Sequence, residues 1–222
     1  MLRSLRFYSL CLLFCVTIMS LGCGPSALRT RSWMTPCDTC IKPQCDKKKC
    51  IEGVKNFARV TDTLWRGEQP TQEGFCNLEA QGVKAVINLR YDHDDIPLLP
   101  ACTKLRYFRI KTHAWHPEEE DLIKFLRILK DKKNLPAFVH CAAGKDRTGY
   151  FVATYRIIEQ NWTANDAIHE MFDFGYHPWW FGNPSFLRKI EKKKDYIRKK
   201  VNEKGSPILP DYAKEGTCKC KK

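Results

Sequence analysis

Two hydrophobic patterns alternate along the middle of the chain. Nearly continuous apolar runs, which are typical of strands covered on both faces, occur in VKAVINL, LRYFRI and AFVH. Between them lie segments with helical spacing, and one of these has an apolar face made by Leu122, Phe125, Leu126 and Leu129. Strands that alternate with helices predict a single α/β domain, in which helices flank a central, mostly parallel sheet.

Residues that favour helix ends support these elements. Thr71 can cap a helix through QEGFCNLEAQ that Gly82 ends, and Thr163 can cap a helix through ANDAIHEMF. Pro117 and the glutamates after it suit the first turn of the helix that follows. SFLRKIEKKKDYIRKKV is predicted to form one helix, whose apolar stripe consists of Leu187, Ile190, Ile197 and Val201.

Composition divides the chain into four parts, one of which is a folded domain that is predicted over residues 56–202. Residues 1–22 are predicted to be a signal peptide, because Arg3 and Arg6 precede an apolar run that is short for a membrane-spanning helix. Residues 23–55 are predicted to be a Cys/Lys-rich tether, and residues 203–222 a basic tail that contains cysteines.

The junction at Cys23 predicts where the mature protein resides. Cys23 follows Gly22, and this pair resembles the bacterial lipobox, in which a cysteine becomes the lipidated first residue. We therefore expect an exported lipoprotein of the cell envelope, anchored to the membrane through Cys23. Plain secretion and an uncleaved anchor are the alternatives.

The cysteines are unusually numerous, and many lie outside the predicted domain. The chain has 12 cysteines, of which Cys37, Cys40, Cys45 and Cys50 fall in CDTCIKPQCDKKKC, and Cys218 and Cys220 lie near the end. In an exported chain this pattern indicates disulfides. The alternative is a zinc site opened by Cys37 and Cys40, but the later spacings are irregular for such a site.

Charge indicates an anionic partner. The 38 Lys and Arg residues against 25 Asp and Glu residues give a formal net charge of +13. Such a balance favours phosphate esters, lipid headgroups or nucleic acid. We expect no nucleic acid, because no helix-turn-helix, zinc-finger or RNA-binding signature occurs in the chain.

One stretch, VHCAAGKDRTG at residues 139–149, concentrates the residues of a phosphate site. Its setting predicts a strand, a tight loop and a helix, so that backbone N–H groups and the helix N-terminus surround an anion. Cys141 would lie beneath that anion, where positive charge favours a thiolate, and the planar fork of Arg147 could hold two phosphate oxygens. The thiolate could attack phosphorus to form a phosphocysteine that water hydrolyses. The alternative is an inert buried cysteine, with Arg147 paired to Asp146.

The motif HCAAGKDRTG resembles the signature of the cysteine-dependent protein tyrosine phosphatase superfamily, and the chain is similar to its bacterial dual-specificity-like members. The similarity extends over roughly residues 57–200 and includes LWRGEQP, VKAVINLR and FGYHPWW. The resemblance implies that Cys141 is the nucleophile and that Arg147 clamps the phosphoryl group. It implies that Thr148 supports the departing thiolate, that His140 helps to hold Cys141 ionised, and that no metal or other cofactor is needed. The phosphate cradle would be lined by the N–H groups of Ala142, Ala143, Gly144, Lys145, Asp146 and Arg147.

The general acid of that family is absent from its usual place. Members carry an aspartate on the loop after the strand equivalent to YFRI, and this chain has Ala114 there. We choose Asp146 as the acid, because myotubularin and Sac-type lipid phosphatases resemble this chain in having an aspartate at that loop position. Asp146 could instead only orient Arg147. The other candidates are His113, Glu118, Glu119, Glu120, Asp121, Asp92, Asp94 and Asp95.

The leading functional hypothesis is a phosphatase that acts on phosphotyrosine or other phosphoproteins. A phosphoinositide or inositol-polyphosphate phosphatase is the alternative, since Lys145 in the loop would suit a second phosphate. A catalytically inactive phosphate-binding protein is the third hypothesis, and the presence of both Cys141 and Arg147 argues against it.

Overall fold

The structure is a computed structural model, and it describes residues 50–203 and 205–213. These residues belong to one compact unit, Arg31–Lys222. The predicted signal peptide, the anchor at Cys23 and the cysteines at 37, 40, 45, 218 and 220 lie outside the described residues.

The described strands form one five-stranded sheet. They are β1 (Ala58–Arg59), β2 (Leu64–Gly67), β3 (Ala85–Arg90), β4 (Arg106–Thr112) and β5 (Ala137–His140). Their order across the sheet is β1-β2-β5-β3-β4, and every neighbouring pair is parallel except β1 with β2. The predicted α/β domain with a mostly parallel sheet is confirmed.

Helices cover both faces of this sheet. They are α1 (Gln72–Ala80), α2 (Glu119–Lys130), α3 (Asp146–Gln160), α4 (Ala164–Asp173), α5 (Gly182–Lys192) and α6 (Lys194–Asn202). The hydroxyl oxygens of Thr71 and Thr163 accept hydrogen bonds from the backbone N–H groups of Gly74 and Asp166, so both predicted N-caps are present. Among the described residues, no helix is long and apolar enough to cross a membrane.

Strand residues alternate between two hydrophobic layers. Ala85, Ile87 and Leu89 of β3 pack in the larger layer, together with apolar residues of α2 to α6. Val86 points to the opposite face, into a smaller layer that contains Phe75 of α1. Burial on both faces therefore explains why β3 is nearly continuously apolar up to Leu89, with Asn88 as the exception, which agrees with the predicted strand buried on both sides.

The packed region is wider than the predicted bounds 56–202. Ile51 and Val54 are buried in the smaller layer, although the sequence around them shows no periodicity and was predicted as part of the tether. At the other end, Tyr212 forms a β-bridge with Tyr107 of β4. Both extensions are held by partners that are distant in sequence, which a local pattern does not report.

The predicted single helix through SFLRKIEKKKDYIRKKV is two helices in the structure. The chain departs from helical geometry at Lys193, where φ is −101° and ψ is 11°. The predicted apolar residues Leu187 and Ile190 of α5 and Ile197 and Val201 of α6 are nevertheless all buried. Nothing in the run of lysines breaks a helix by itself, so the break follows from packing and not from propensity.

Cys50 and Cys102 are each disulfide-bonded. Cys50 belongs to the cysteine-rich segment for which the sequence favoured disulfides over a zinc site. Cys102 lies in the loop between β3 and β4, and its oxidation was not predicted from the sequence.

Candidate active site

The predicted site residues meet at one edge of the sheet. In the parallel register Gly67 of β2 and Asn88 of β3 both pair with His140, the last residue of β5. The loops that leave β2, β3, β4 and β5 therefore emerge side by side, and Cys141 begins the central one. Ligand sites of parallel sheets form at this carboxyl edge.

The carbonyl groups of the loop 141–145 accept hydrogen bonds from residues outside the loop. The N–H of Gln69 donates to Ala142 O at 3.2 Å, and the Asn56 side-chain amide donates to Ala143 O and Gly144 O, both at 3.2 Å. In contrast, the N–H groups of residues 142–145 donate no hydrogen bond to any other described residue. The loop thus has the arrangement of an anion cradle, with its donors unengaged above the start of α3.

Gly144 is required by a close approach of two backbones. Its φ is +67°, and a Cβ there would lie 2.6 Å from the carbonyl carbon and oxygen of Gly67 and 2.8 Å from Glu68 N. Any larger residue would push the cradle away from the end of β2.

Arg66 supports the cradle, a role that no pattern in the sequence indicates. Its side chain is fully buried, donates from Nη2 to Gly144 O at 2.7 Å, and stacks over the Phe174 ring at 3.8 Å. Burial lowers the pKa of Arg66 to about 10, although nearby Glu170 and Cys141 act in the opposite direction. A buried guanidinium thus lies close enough to the Cys141 sulfur to interact electrostatically with it.

His140, which precedes the nucleophile, is paired with Asp95. The two side chains are fully buried, and His140 Nε2 lies 2.8 Å from Asp95 Oδ2. Gln69 donates to Asp95 Oδ1 at 2.9 Å. Both carboxylate oxygens of Asp95, a predicted candidate for the acid, are therefore occupied by His140 and Gln69 beneath the site.

Cys141, Thr148 and Arg147 surround the floor of the cradle. Cys141 is only 3% exposed, and the buried Thr148 hydroxyl has no hydrogen-bond partner among the residues described. Arg147 is half-buried at the first turn of α3, and no described residue forms a hydrogen bond or ion pair with its guanidinium. Both groups therefore keep their donors for a ligand in the cradle.

Asp146 does not bond to Arg147 in the structure. Its carboxylate instead binds His177, accepting the backbone N–H at 2.9 Å and contacting ring Nδ1 at 2.9 and 3.0 Å. The role of Asp146 as the acid stays a prediction. His177 lies in FGYHPWW, and the sequence did not single it out as a functional residue.

Aromatic rings form a wall beside the cradle. His113 is stacked between Tyr91 and Trp115, with ring centroids 4.2 and 4.7 Å apart. The wall continues through Trp180, which lies 5.8 Å from Trp115. Tyr91 and Trp115 are both more than half exposed, so the wall faces solvent on the loops that follow β3 and β4.

The remaining acid candidates are dispersed. Glu119 pairs with Lys193 at 2.9 Å, and Asp94 pairs with Arg109 at 3.2 Å. Asp92 and the glutamates at 118 and 120 are exposed. Burial, followed by the charge of Glu118, raises the pKa of Asp121 to about 6, but Asp121 lines a cavity that contains no residue of the cradle.

Comparison with known families gives one match that covers more than half of the chain. The family described as DSP-PTPase phosphatase fused to NAD+ kinase matches residues 49–174. The match includes the cradle and both polar residues beneath it, Arg66 and Asp95.

Individual relatives are phosphatases by name. The chain is 32% identical over 129 residues to the dual specificity protein phosphatase TpbA of Pseudomonas aeruginosa. The aligned region covers 58% of this chain and 58% of that protein. It is 32% identical over 123 residues to the inositol diphosphatase DSP5 of Arabidopsis thaliana, covering 52% of this chain and 59% of that protein. The chain thus spans less than three fifths of the length of these relatives. A crystal structure of P. aeruginosa TpbA in complex with pTyr superposes with a TM-score of 0.53 at 26% identity, covering 73% of this chain and 99% of that one.

Proposed function

Because the chain belongs to the family of the DSP-PTPase phosphatase fused to NAD+ kinase, we propose that it is a cysteine-dependent phosphatase that hydrolyses phosphomonoesters. The observation that carries the proposal is the cradle itself. No described residue accepts a hydrogen bond from the N–H groups of residues 142–145 or from the guanidinium of Arg147. These donors lie on the loop and helix start that directly follow the buried Cys141.

The chemistry follows from this arrangement. The Cys141 thiolate attacks phosphorus, the S–P bond forms as the P–O bond to the leaving group breaks, and the cradle stabilises the charge on the transferred oxygens. Water then attacks the phosphocysteine and releases phosphate. The hydroxyl of Thr148, which has no partner among described residues, is available to donate to the thiolate as it departs.

Replacement of the nucleophile tests the proposal. We expect Cys141→Ser to abolish hydrolysis of p-nitrophenyl phosphate and to retain vanadate binding, because the cradle remains without the thiolate. Arg147→Ala should weaken both. Full activity of Cys141→Ser would contradict the phosphocysteine mechanism.

For the substrate, we propose phosphotyrosine or another phosphorylated protein residue. The wall offers the exposed rings of Tyr91 and Trp115 to an aromatic leaving group. The complex of TpbA with pTyr supports the same assignment. Steady-state kinetics on phosphotyrosine and phosphoserine peptides, measured together with inositol phosphates, would test it.

An inositol phosphate is the second candidate substrate. The Lys145 side chain runs past Gly175, where a Cβ would lie 3.2 Å from Lys145 Cε, and no described carboxylate pairs with it. A cation in this position suits a second phosphate group, and DSP5 is named an inositol diphosphatase. If this candidate is correct, Lys145→Met should lower kcat/KM for inositol phosphates by about tenfold more than for a phosphotyrosine peptide.

We also propose that the protein is exported and anchored in the cell envelope through a lipidated Cys23. The order of positive charge, apolar run and Gly22-Cys23 junction supports this location. Mass spectrometry of the purified N-terminus tests it. An unprocessed Met1 in a soluble cytosolic fraction would contradict it.

A further inference from the structure

A proton donor for the leaving group has to come from a residue other than Ala114. When the P–O bond breaks, an oxygen of high basicity needs a proton, and a suitably placed acid accelerates such steps by about 10² to 10⁴-fold. Ala114 has no proton to give. The following inference rests on the proposed phosphatase function and concerns which residue supplies this proton.

His177 is held in a defined orientation by Asp146. Both carboxylate oxygens of Asp146 lie within 3.0 Å of ring Nδ1, and Oδ1 also accepts the His177 backbone N–H at 2.9 Å. An ionised carboxylate can only accept, so the proton of this contact resides on Nδ1. Any proton that the ring gives to a substrate therefore leaves from Nε2. Trp179 stacks on the ring with centroids 4.4 Å apart and fixes its plane.

The chain segment that carries His177 is attached to the cradle. Asn56 donates to Ala143 O and also to Phe174 O, each at 3.2 Å, and so joins the two segments. Close packing of Lys145 against Gly175 makes a second attachment. The Asp146–His177 pair makes the third, one residue before Arg147. Three contacts thus attach the His177 segment to the loop that carries the backbone donors and Arg147.

The exposure of the pair suits a group that meets a substrate. The side chain of Asp146 is 16% exposed, whereas that of His177 is 33% exposed. The carboxylate is the more sheltered partner, and the ring is the partner that solvent or a substrate can reach. His113, the histidine of the aromatic wall, is instead covered on both faces by Tyr91 and Trp115, and no described carboxylate bonds to its ring.

We propose that His177 is the general acid of this phosphatase and that Asp146 is its positioning residue. The cycle starts from the doubly protonated His177 ring, with Nδ1–H bonded to Asp146. As the Cys141 sulfur bonds to phosphorus and the P–O bond breaks, the leaving oxygen takes the second proton from His177 Nε2. The neutral ring then accepts a proton from the water that attacks the phosphocysteine. Cleavage of the S–P bond restores the thiolate and releases phosphate, so the ring has regained its proton at the end of the cycle.

Two leaving groups separate this role from a structural one. p-Nitrophenolate departs without much help, whereas phenolate needs a proton. We expect His177→Asn to lower kcat/KM on phenyl phosphate by about 10²-fold, and to lower it by less than about tenfold on p-nitrophenyl phosphate. Asp146→Asn should show the same selectivity with a smaller loss, because the amide oxygen can still accept from Nδ1. His116→Asn is the control, since His116 is an exposed histidine on a different loop, between β4 and α2, and it should leave both substrates unchanged.

Each contrary result has a distinct meaning. Equal losses of His177→Asn on both substrates, with an unchanged melting temperature, would overturn the proposal. Selective loss in Asp146→Asn without selective loss in His177→Asn would identify Asp146 as the acid and would also overturn it. If His177→Asn does not fold, His177→Gln is measured in the same way. Failure of the wild-type protein to hydrolyse p-nitrophenyl phosphate would instead contradict the proposed function itself.

Discussion

Replacement of Gly144 by alanine should disable the cradle through a displacement that can be estimated from the structure. The new Cβ would lie 2.6 Å from Gly67 C and O, and both are backbone atoms that cannot rotate away. Ordinary carbon contacts are about 3.5 Å, so the loop would have to move by ~0.9 Å. A misplacement of about 1 Å in a catalytic group costs on the order of 10²-fold in rate. We therefore expect kcat/KM on p-nitrophenyl phosphate to fall by about 10²-fold.

A second glycine separates this displacement from backbone strain. Gly82 has a φ of +93°, but no atom lies within 4 Å of the position of its Cβ. Both alanine variants should carry a left-handed strain of about 1–2 kcal/mol, which corresponds to a lower melting temperature by roughly 2–8 °C. Only Gly144→Ala should also lose activity. The same kcat/KM in the two variants would refute the assignment of the cradle.

Two further substitutions test ionisable groups whose pKa is shifted by burial, Arg66 beneath the cradle and Asp121 away from it. Arg66→Met should lower kcat/KM, because it removes the donor to Gly144 O. The melting temperature should fall little, because the substitution also removes a guanidinium whose burial is costly. Equal kcat/KM in the variant and the wild type would contradict the supporting role. Asp121→Asn should raise the melting temperature at about pH 7.5 and leave it unchanged at about pH 3.5. The folded pKa of Asp121, about 6, lies above the ordinary value of 3.8, so the favourable contribution of the neutral carboxyl is complete below that ordinary value and is lost as the pH rises through 6. A variant that is destabilised at the higher pH would show that the sign is wrong.

The cradle could be predicted from the sequence because it is contiguous. One strand, one loop and one helix start supply Cys141, the backbone donors and Arg147, and the residue types of HCAAGKDRTG determine that local geometry. The residues that hold the cradle in place come from elsewhere. Arg66 contacts Gly144 across 78 positions, and His177 contacts Asp146 across 31. No local pattern pairs such residues, since their contact depends on the order of strands in the sheet.

Buried charge explains why Arg66 was missed. A pattern of apolar residues identifies what is inside a domain, and an arginine within LWRGEQP indicates a surface position by that criterion. In the structure its cation is buried because a backbone carbonyl and an aromatic face replace water. Functional sites are where such exceptions to patterning are expected.

The bridge between Tyr107 and Tyr212 has a consequence for the handling of this protein. β4 is the last strand of the sheet, and an uncovered last strand offers unpaired backbone groups to other chains. Tyr212 exchanges backbone hydrogen bonds with Tyr107, and the Asp211 carboxylate accepts the N–H of Arg109 at 2.6 Å. A truncation after α6 would leave the final helix intact, but it would expose the backbone groups of β4 that Asp211 and Tyr212 bind. Such a shortened chain should self-associate through β4, whereas one that ends after residue 213 should keep the edge covered.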